Sequence, residues 1–344
     1  MNFKPSNKVY KTQEIQGVSV PAIIENGGYH FTDLDIYENG RVYCWNFHDF
    51  EIFKQEVNSE WVVLSVPDGE DISIFNLGCW KIKNSQWIFN KKGFIAYVES
   101  LIREMNPQWK NIYTYVEKKL GEITIGENGQ GTIFKEIKNE YGFNSKKIEA
   151  NSLNLYYKEN EIYHLVKVIA FADHTLQITR LENPFEISFE EFKKLVKEKK
   201  IVTNPPKNSV INIYGLGSFS IEQKSWCNSI KNIQKEIEEI FRKLNNVPTL
   251  FEICLNTFKE FKNNPTKQNQ SKLKKAYEKV PEHQRMYLGD MDTRDTEIRM
   301  IIYGKQEIEG WSHYQIAKKM GDPLPNIQIP EIKDENNNKK NIKK

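Results

Sequence analysis

Apolar and polar residues alternate along residues 18–24, 29–36 and 41–47, the period-two pattern of strands with one buried face. The runs are separated by Glu25-Asn26-Gly27-Gly28 and Tyr37-Glu38-Asn39-Gly40, where Gly and Asn take positive φ at little cost, so a three-stranded meander is expected. Phe50, Phe53 and Val57 then fall at helical spacing and predict a short helix over 50–57. A hairpin is expected next, from residues 61–66 through the turn Pro67-Asp68-Gly69 to residues 72–82. A longer helix closes the unit, with Trp87, Phe94, Val98, Leu101 and Met105 on one stripe.

The pattern then repeats. Residues 50–82 align without a gap on residues 189–221, at a constant offset of 139. Identical pairs include Phe53/Phe192, Lys54/Lys193, Pro67/Pro206, Ile72/Ile211, Leu77/Leu216, Gly78/Gly217 and Ile82/Ile221, with Trp87/Trp226 further on. Upstream, Glu25-Asn26 and Tyr29-His30 match Glu159-Asn160 and Tyr163-His164 at an offset of 134. Ordered matches with apolar positions kept between them signal a duplicated unit. Gly78 and Gly217 lie within strand-like runs, which points to a bulge or a close backbone approach. The paired tryptophans are expected to anchor the core, and His30 and His164 to be structural.

Between the copies, residues 109–120 read as helical and 122–125 as a strand. A glycine-rich loop over 126–132 then leads into a helix ending near Tyr141. That loop lacks the lysine of a phosphate-binding P-loop, with Thr132 in its place, and it carries Glu127, so a linker is expected. Beyond Pro248 the pattern is helical. Thr249-Leu250-Phe251-Glu252 and Ser312-His313-Tyr314-Gln315 have the form of capping boxes, and Asn264-Pro265 suits a helix start. The expected fold class is α+β: two tandem meander/helix/hairpin/helix units and a small, mainly helical domain. Its parts are a first copy (1–110), a helical, glycine-rich connector (111–150), a second copy (151–246), a helical domain (247–330) and a disordered tail (331–344).

Composition narrows the functional classes. No apolar run reaches the ~20 residues of a membrane helix, and the first residues lack the apolar stretch of a signal peptide. No membrane partner and a cytoplasmic location are therefore expected. Cys44, Cys79, Cys227 and Cys254 are scattered, as reduced structural thiols would be. With 49 basic and 46 acidic side chains the net charge is +3, weak support for nucleic-acid binding, although residues 193–200 and 267–279 are lysine-rich. The abundance of Lys, Asn and Ile suggests a bacterial source.

The densest polar stretch holds His283, Arg285, Asp290, Asp292 and Asp295. Three closely spaced carboxylates can bind a divalent cation, with His283 or Arg285 as acid–base or anion-steadying group, the chemistry of a metal-dependent nuclease or phosphodiesterase. Helix caps and ion pairs with Arg285, Arg294 and Arg299 account for the same residues without metal. The phrase Ile316-Ala317-Lys318-Lys319-Met320-Gly321 resembles the first helix and turn of helix-turn-helix DNA readers, but the prolines at 323, 325 and 330 exclude a recognition helix after it. No nucleophile elbow, zinc motif or dinucleotide fingerprint is present, and no cofactor is expected. A duplicated scaffold without a matched polar constellation points to an interaction protein with a macromolecular partner, most readily another protein. Neutralising a toxin or assisting phage defence would suit such a binder. Metal-dependent cleavage and nucleic-acid binding are the alternatives.

Overall fold

The computed structural model describes residues 14–45, 49–114, 133–137 and 146–332. The first copy runs β1 (Gly17–Glu25), β2 (Tyr29–Tyr37), β3 (Val42–Tyr43), α1 (Phe50–Asn58), β4 (Val62–Val63), β5 (Asp71–Ile74), β6 (Gly78–Trp87) and α2 (Lys91–Met105). After β7 (Ile133–Ile137) the second copy runs β8 (Lys146–Glu159), β9 (Ile162–Phe171), β10 (Thr175–Thr179), β11 (Phe185–Ser188), α3 (Phe189–Lys197), β12 (Ile201–Val202), β13 (Val210–Ile213), β14 (Gly217–Cys227) and α4 (Ile230–Leu244). From the first short helix onward, five pairs of elements start 139 residues apart: at 50 and 189, 62 and 201, 71 and 210, 78 and 217, and 91 and 230. The fold is α+β with an internal duplication.

Each copy uses the same pairing. β1 lies antiparallel to β2, and β4 pairs with β1. β5 runs parallel to β2 and turns back into β6. In the second copy β8, β9, β12, β13 and β14 repeat these contacts. The expected hairpin is therefore displaced. Pro67-Asp68-Gly69 carries the chain from β4 to β5, which are not neighbours, and the true hairpin turns between β5 and β6, inside the single strand expected over 72–82. Asn76 there has φ 56°, and its counterpart Gly215 has φ 76°. Left-handed backbone at that point reverses the chain.

Alternation along β1 and β2 decides which face meets the helices. Val20, Ala22, Ile24, Leu34 and Ile36 pack with Phe53 and Val57 of α1 and with Phe94, Val98 and Ile102 of α2. Asp49 caps α1 by accepting from the Ile52 amide at 2.8 Å, and Ser188 caps α3 in a full capping box with Glu191. Trp87 lies in β6, not on the helix stripe expected for it, and Trp226 lies at the end of β14, half exposed rather than anchoring the core as expected.

The two copies join edge to edge. β6 and β14 pair antiparallel from Gly78↔Cys227 to Trp87↔Gly217, with three register irregularities, so the fourteen strands among the described residues form one sheet. Since β6 and β14 are equivalents, this seam is a pseudo-two-fold. Each matched glycine lies where the other copy's matched tryptophan crosses. A Cβ on Gly78 would stand 2.7 Å from the Trp226 carbonyl oxygen, and one on Gly217 would stand 2.4 Å from the Gln86 carbonyl oxygen and 2.9 Å from the Trp87 ring. The expected close backbone approach is thus between the two copies.

The stretch expected to be helical after the glycine-rich loop is instead β7, paired along its length with β8. A free ladder edge on β8 outcompetes the weak helical preference of Ile-Phe-Lys-Glu-Ile. Residues 109–114 are irregular, with a bend at Asn111, rather than helical, and 115–120 of the helix expected there lie outside the described residues. The strand expected at 122–125, the glycine-rich loop expected at 126–132 and residues 333–344 of the expected disordered tail lie outside the described residues.

The chain divides into two compact units, Met1–Ile230 and Lys231–Lys344. The second contains nearly all of α4, then α5 (Leu250–Asn263), α6 (Lys267–Lys279), α7 (Glu282–Arg285), α8 (Thr296–Tyr303), a 3-10 turn (Lys305–Gly310) and α9 (Ser312–Met320). Its core gathers Cys254, Phe261, Leu273, Tyr277, Val280, Leu288, Ile298 and Ile301. The Thr249/Glu252 capping box forms, whereas the Ser312/Gln315 box does not: Trp311 is the cap residue, without a side-chain bond. Pro265 precedes the cap Thr266 rather than opening α6. No helix among the described residues is long and apolar enough to cross a membrane.

Candidate functional site

The acidic segment of the helical unit is distributed over separate structural tasks. Asp290 Oδ1 accepts from both the amide and the hydroxyl of Thr293 at 2.6 Å, and these bonds hold its carboxyl below the ordinary value. Asp295 Oδ2 accepts from the Tyr277 hydroxyl at 2.5 Å. The Asp292 carbonyl accepts from the Trp311 indole at 2.8 Å. Arg285 donates to the carbonyls of Val280 and Glu278 at the end of α6 and lies 5.0 Å over the Tyr277 ring. The His283 side chain is outside the described structure. Among the described residues no group of three His, Cys, Asp or Glu is placed to hold a metal ion.

The thiols are free. Burial pushes Cys44 up to about 12 and Cys254 up to about 11, which leaves little thiolate at neutral pH. The matched histidines occupy one row of the fold: His30 pairs with Ser73, and His164 with Asn212. His30 lies 5.9 Å from the Trp45 ring. Asn212 Nδ2 donates to His164 Nδ1 at 3.2 Å, and burial lowers the His164 pKa from 6.5. A depressed folded value means that its stabilisation is complete above the unfolded pKa and is lost as pH falls. The His164 ring should therefore titrate below 6.5 by NMR, and the thermal midpoint should fall between pH 6.5 and 5 by more in the natural chain than in His164→Gln. A midpoint above 6.5 would contradict the arrangement.

Two further features were not singled out from the sequence. The first is a pair of aromatic tips. Phe75 is 79% exposed at the β5–β6 turn, and its equivalent Tyr214 is 50% exposed at the β13–β14 turn, while the neighbouring Leu77 and Leu216 are buried. Each tip is tied to the other copy. The Asn228 amide donates to the Leu77 carbonyl at 2.8 Å and its side chain to the Asn76 carbonyl at 3.0 Å, and the Ile88 amide donates to the Leu216 carbonyl at 3.0 Å. Trp226 and Ile88, at the ends of the seam strands, are exposed as well. The signal was available, because the gapless alignment places an aromatic opposite an aromatic while Asp71/Val210, Ser73/Asn212 and Asn76/Gly215 diverge around it.

The second is a half-buried charge cluster on the face of β2 opposite its helices. Lys167 Nζ lies 2.9 Å from Asp33 Oδ2 and 3.2 Å from the Ser19 hydroxyl. The Arg180 guanidinium pairs with Asp33 Oδ1, donates to Asn154 Oδ1 at 3.0 Å and lies over the Phe31 ring. Side-chain exposure is 13% for Lys167 and 8% for Arg180. Burial raises the Asp35 pKa, against the opposing pull of Ser19 and Lys167. The cluster has the geometry of a structural lock, with carboxylate and cations contributed by different copies.

No curated protein and no solved structure matches the chain. Residues 5–109 and 138–248 match the model of a family described as domain of unknown function (DUF7638), and residues 249–325 match a second, domain of unknown function (DUF7639). The first model covers well over half of the chain, in two stretches that coincide with the duplicated sheet-and-helix units, and the chain therefore belongs to the DUF7638 family.

Proposed function

We propose that the chain is a protein-binding module whose contact surface centres on the two aromatic tips, Phe75 and Tyr214. The observation that carries this reading is an exposed aromatic at the same hairpin position of both copies, while the other positions around it that are not buried, 71/210, 73/212 and 76/215, have diverged. The fold does not need it there, since the buried Leu77 and Leu216 fix each turn. Aromatic side chains held on rigid backbone are the groups that dominate binding energy in protein interfaces, because little entropy is lost when they dock. A cytoplasmic bacterial binder, neutralising a toxin or assisting phage defence, fits a scaffold of this kind. The metal-dependent nuclease reading has no specific observation in its favour, because Asp290 and Asp295 already serve Thr293 and Tyr277.

The test is affinity capture from a host lysate, with and without nuclease treatment, using the natural chain and Phe75→Ala/Tyr214→Ala. Both side chains are exposed, so the double variant should keep its thermal midpoint. A protein captured after nuclease treatment, and bound about tenfold or more weakly by the double variant, is the expected result. Equal capture by both chains would remove the tips from the interface. Recovery of nucleic acid alone would move the function to the lysine-rich helices.

A further inference from the structure

Asp33 and Lys167 occupy the same position of the duplicated unit. The parallel ladders fix this: His30 pairs with Ser73 and His164 with Asn212, and Ser73 and Asn212 are equivalents. Three residues further along each strand stand Asp33 and Lys167, and their charged groups meet at 2.9 Å. Side chains that contact their own structural equivalents sit close to the pseudo-two-fold. In a symmetric pairing of like copies, a residue on that axis would meet itself. Two first copies would bury Asp33 against Asp33 with Asp35 alongside. Two second copies would bury Lys167 against Lys167 with a pair of Arg180 guanidinium groups. Both arrangements desolvate like charges without counter-charges, whereas the unlike pair gives Asp33 two cationic partners.

We infer that the Asp33–Lys167–Arg180 cluster is a pairing code: it directs the inner face of each copy to close on the unlike copy and excludes closure of like on like. Interface charges serve specificity in this way, because a repulsive wrong pairing discriminates more sharply than one extra attraction. Divergence at this single position turns a self-complementary surface into two halves that fit only each other. The inference stands on the charge geometry alone and does not depend on the binding role proposed above.

Single reversals in the full-length chain recreate the excluded arrangements. Asp33→Lys places cation on cation as in a pair of second copies, and Lys167→Asp places acid on acid as in a pair of first copies. Each is expected to lower the thermal midpoint by about 10 °C. The double reversal, Asp33→Lys/Lys167→Asp, restores opposite charges and should recover at least half of the combined loss, Arg180 preventing full recovery. A double variant as unstable as the two losses added together would overturn the code. If either reversal alone prevents folding, a folded double variant supports it. If the double also fails to fold, the gentler cycle of Asp33→Asn, Lys167→Gln and their combination decides: a smaller loss than the sum supports the code, and strict additivity overturns it.

Discussion

Gly217→Ala is expected to lower the stability of the first unit by about 3 kcal/mol, because one methyl group there must displace backbone rather than side chain. The new Cβ would stand 2.4 Å from the Gln86 carbonyl oxygen and 3.1 Å from the Trp87 Cα, both on the facing strand of the seam. A flexible side chain could turn away from such a contact. A carbonyl within the β6–β14 ladder moves only if the ladder opens. For a unit of this size the loss corresponds to roughly 6–12 °C in thermal midpoint. Gly69→Asn supplies the control. Gly69 has φ 92° with open space around it, and its equivalent in the second copy is already an asparagine, Asn208, at φ 67°. That variant should melt within about a degree of the natural chain, as a surface turn change does. Equal, small effects from both substitutions would show that the seam is looser than the structure describes.

The duplication was legible because each element from the first short helix onward lies 139 residues from its twin, and apolar period survives divergence of the surface. Upstream the sequence match is less accurate. It equated Glu25-Asn26 with Glu159-Asn160, but strand pairing sets Ile24 opposite His30 and Tyr157 opposite His164. β1 and β8 are therefore related by 133 residues and β2 and β9 by 134. The turn absorbs the difference: Asn26-Gly27-Gly28 is a three-residue loop, whereas Asn160-Glu161 is a two-residue turn with φ 46° and 67°. A glycine pair permits the longer loop, and no apolar pattern records which loop forms.

What remained hidden was long-range pairing. β5 lies beside β2 rather than beside β4, and parallel neighbours joined through a helix and a short strand leave no local mark on the sequence. The seam was half visible. Gly78 and Gly217 announced a close approach, but not that the approaching chain belonged to the other copy. The charge cluster was not visible at all, since Asp33 and Asp35 alternate with Leu34 and Ile36 as solvent-facing polar residues of a one-sided sheet would. Their face is covered by the second copy, and only its contacts with Lys167 and Arg180 distinguish a half-buried, paired carboxylate from an exposed one. The acidic stretch near residue 290 shows the converse. Spacing suggested a metal site, while the hydroxyls of Thr293 and Tyr277 claim two of its carboxylates separately.

Arg180→Met should separate the cluster's contribution from that of ordinary packing, and its signature is a pH dependence. Methionine keeps much of the buried volume but removes the guanidinium that bonds Asp33 and Asn154. Lys167 still compensates Asp33, so the expected loss at neutral pH is about 2–3 kcal/mol, below the cost of stripping a buried charge of every partner. Asp35 sets the direction with pH. Burial raises its folded pKa above the unfolded value near 3.8, so the stability it contributes is complete below that value and is lost as pH rises through the folded pKa. Arg180 and Lys167 both draw the Asp35 pKa down. Removing Arg180 lets it rise further, which deepens the loss at pH 7 and leaves the state near pH 4 little changed. The gap in thermal midpoint between the natural chain and Arg180→Met should therefore narrow as pH falls from 7 towards 4. A gap that stays constant would mean that Arg180 acts through its packing over Phe31 rather than its charge. A gap that widens would mean that the acid side of the cluster does not gain from its cations. The charge account thus commits to both a sign and a pH window that a packing account does not share.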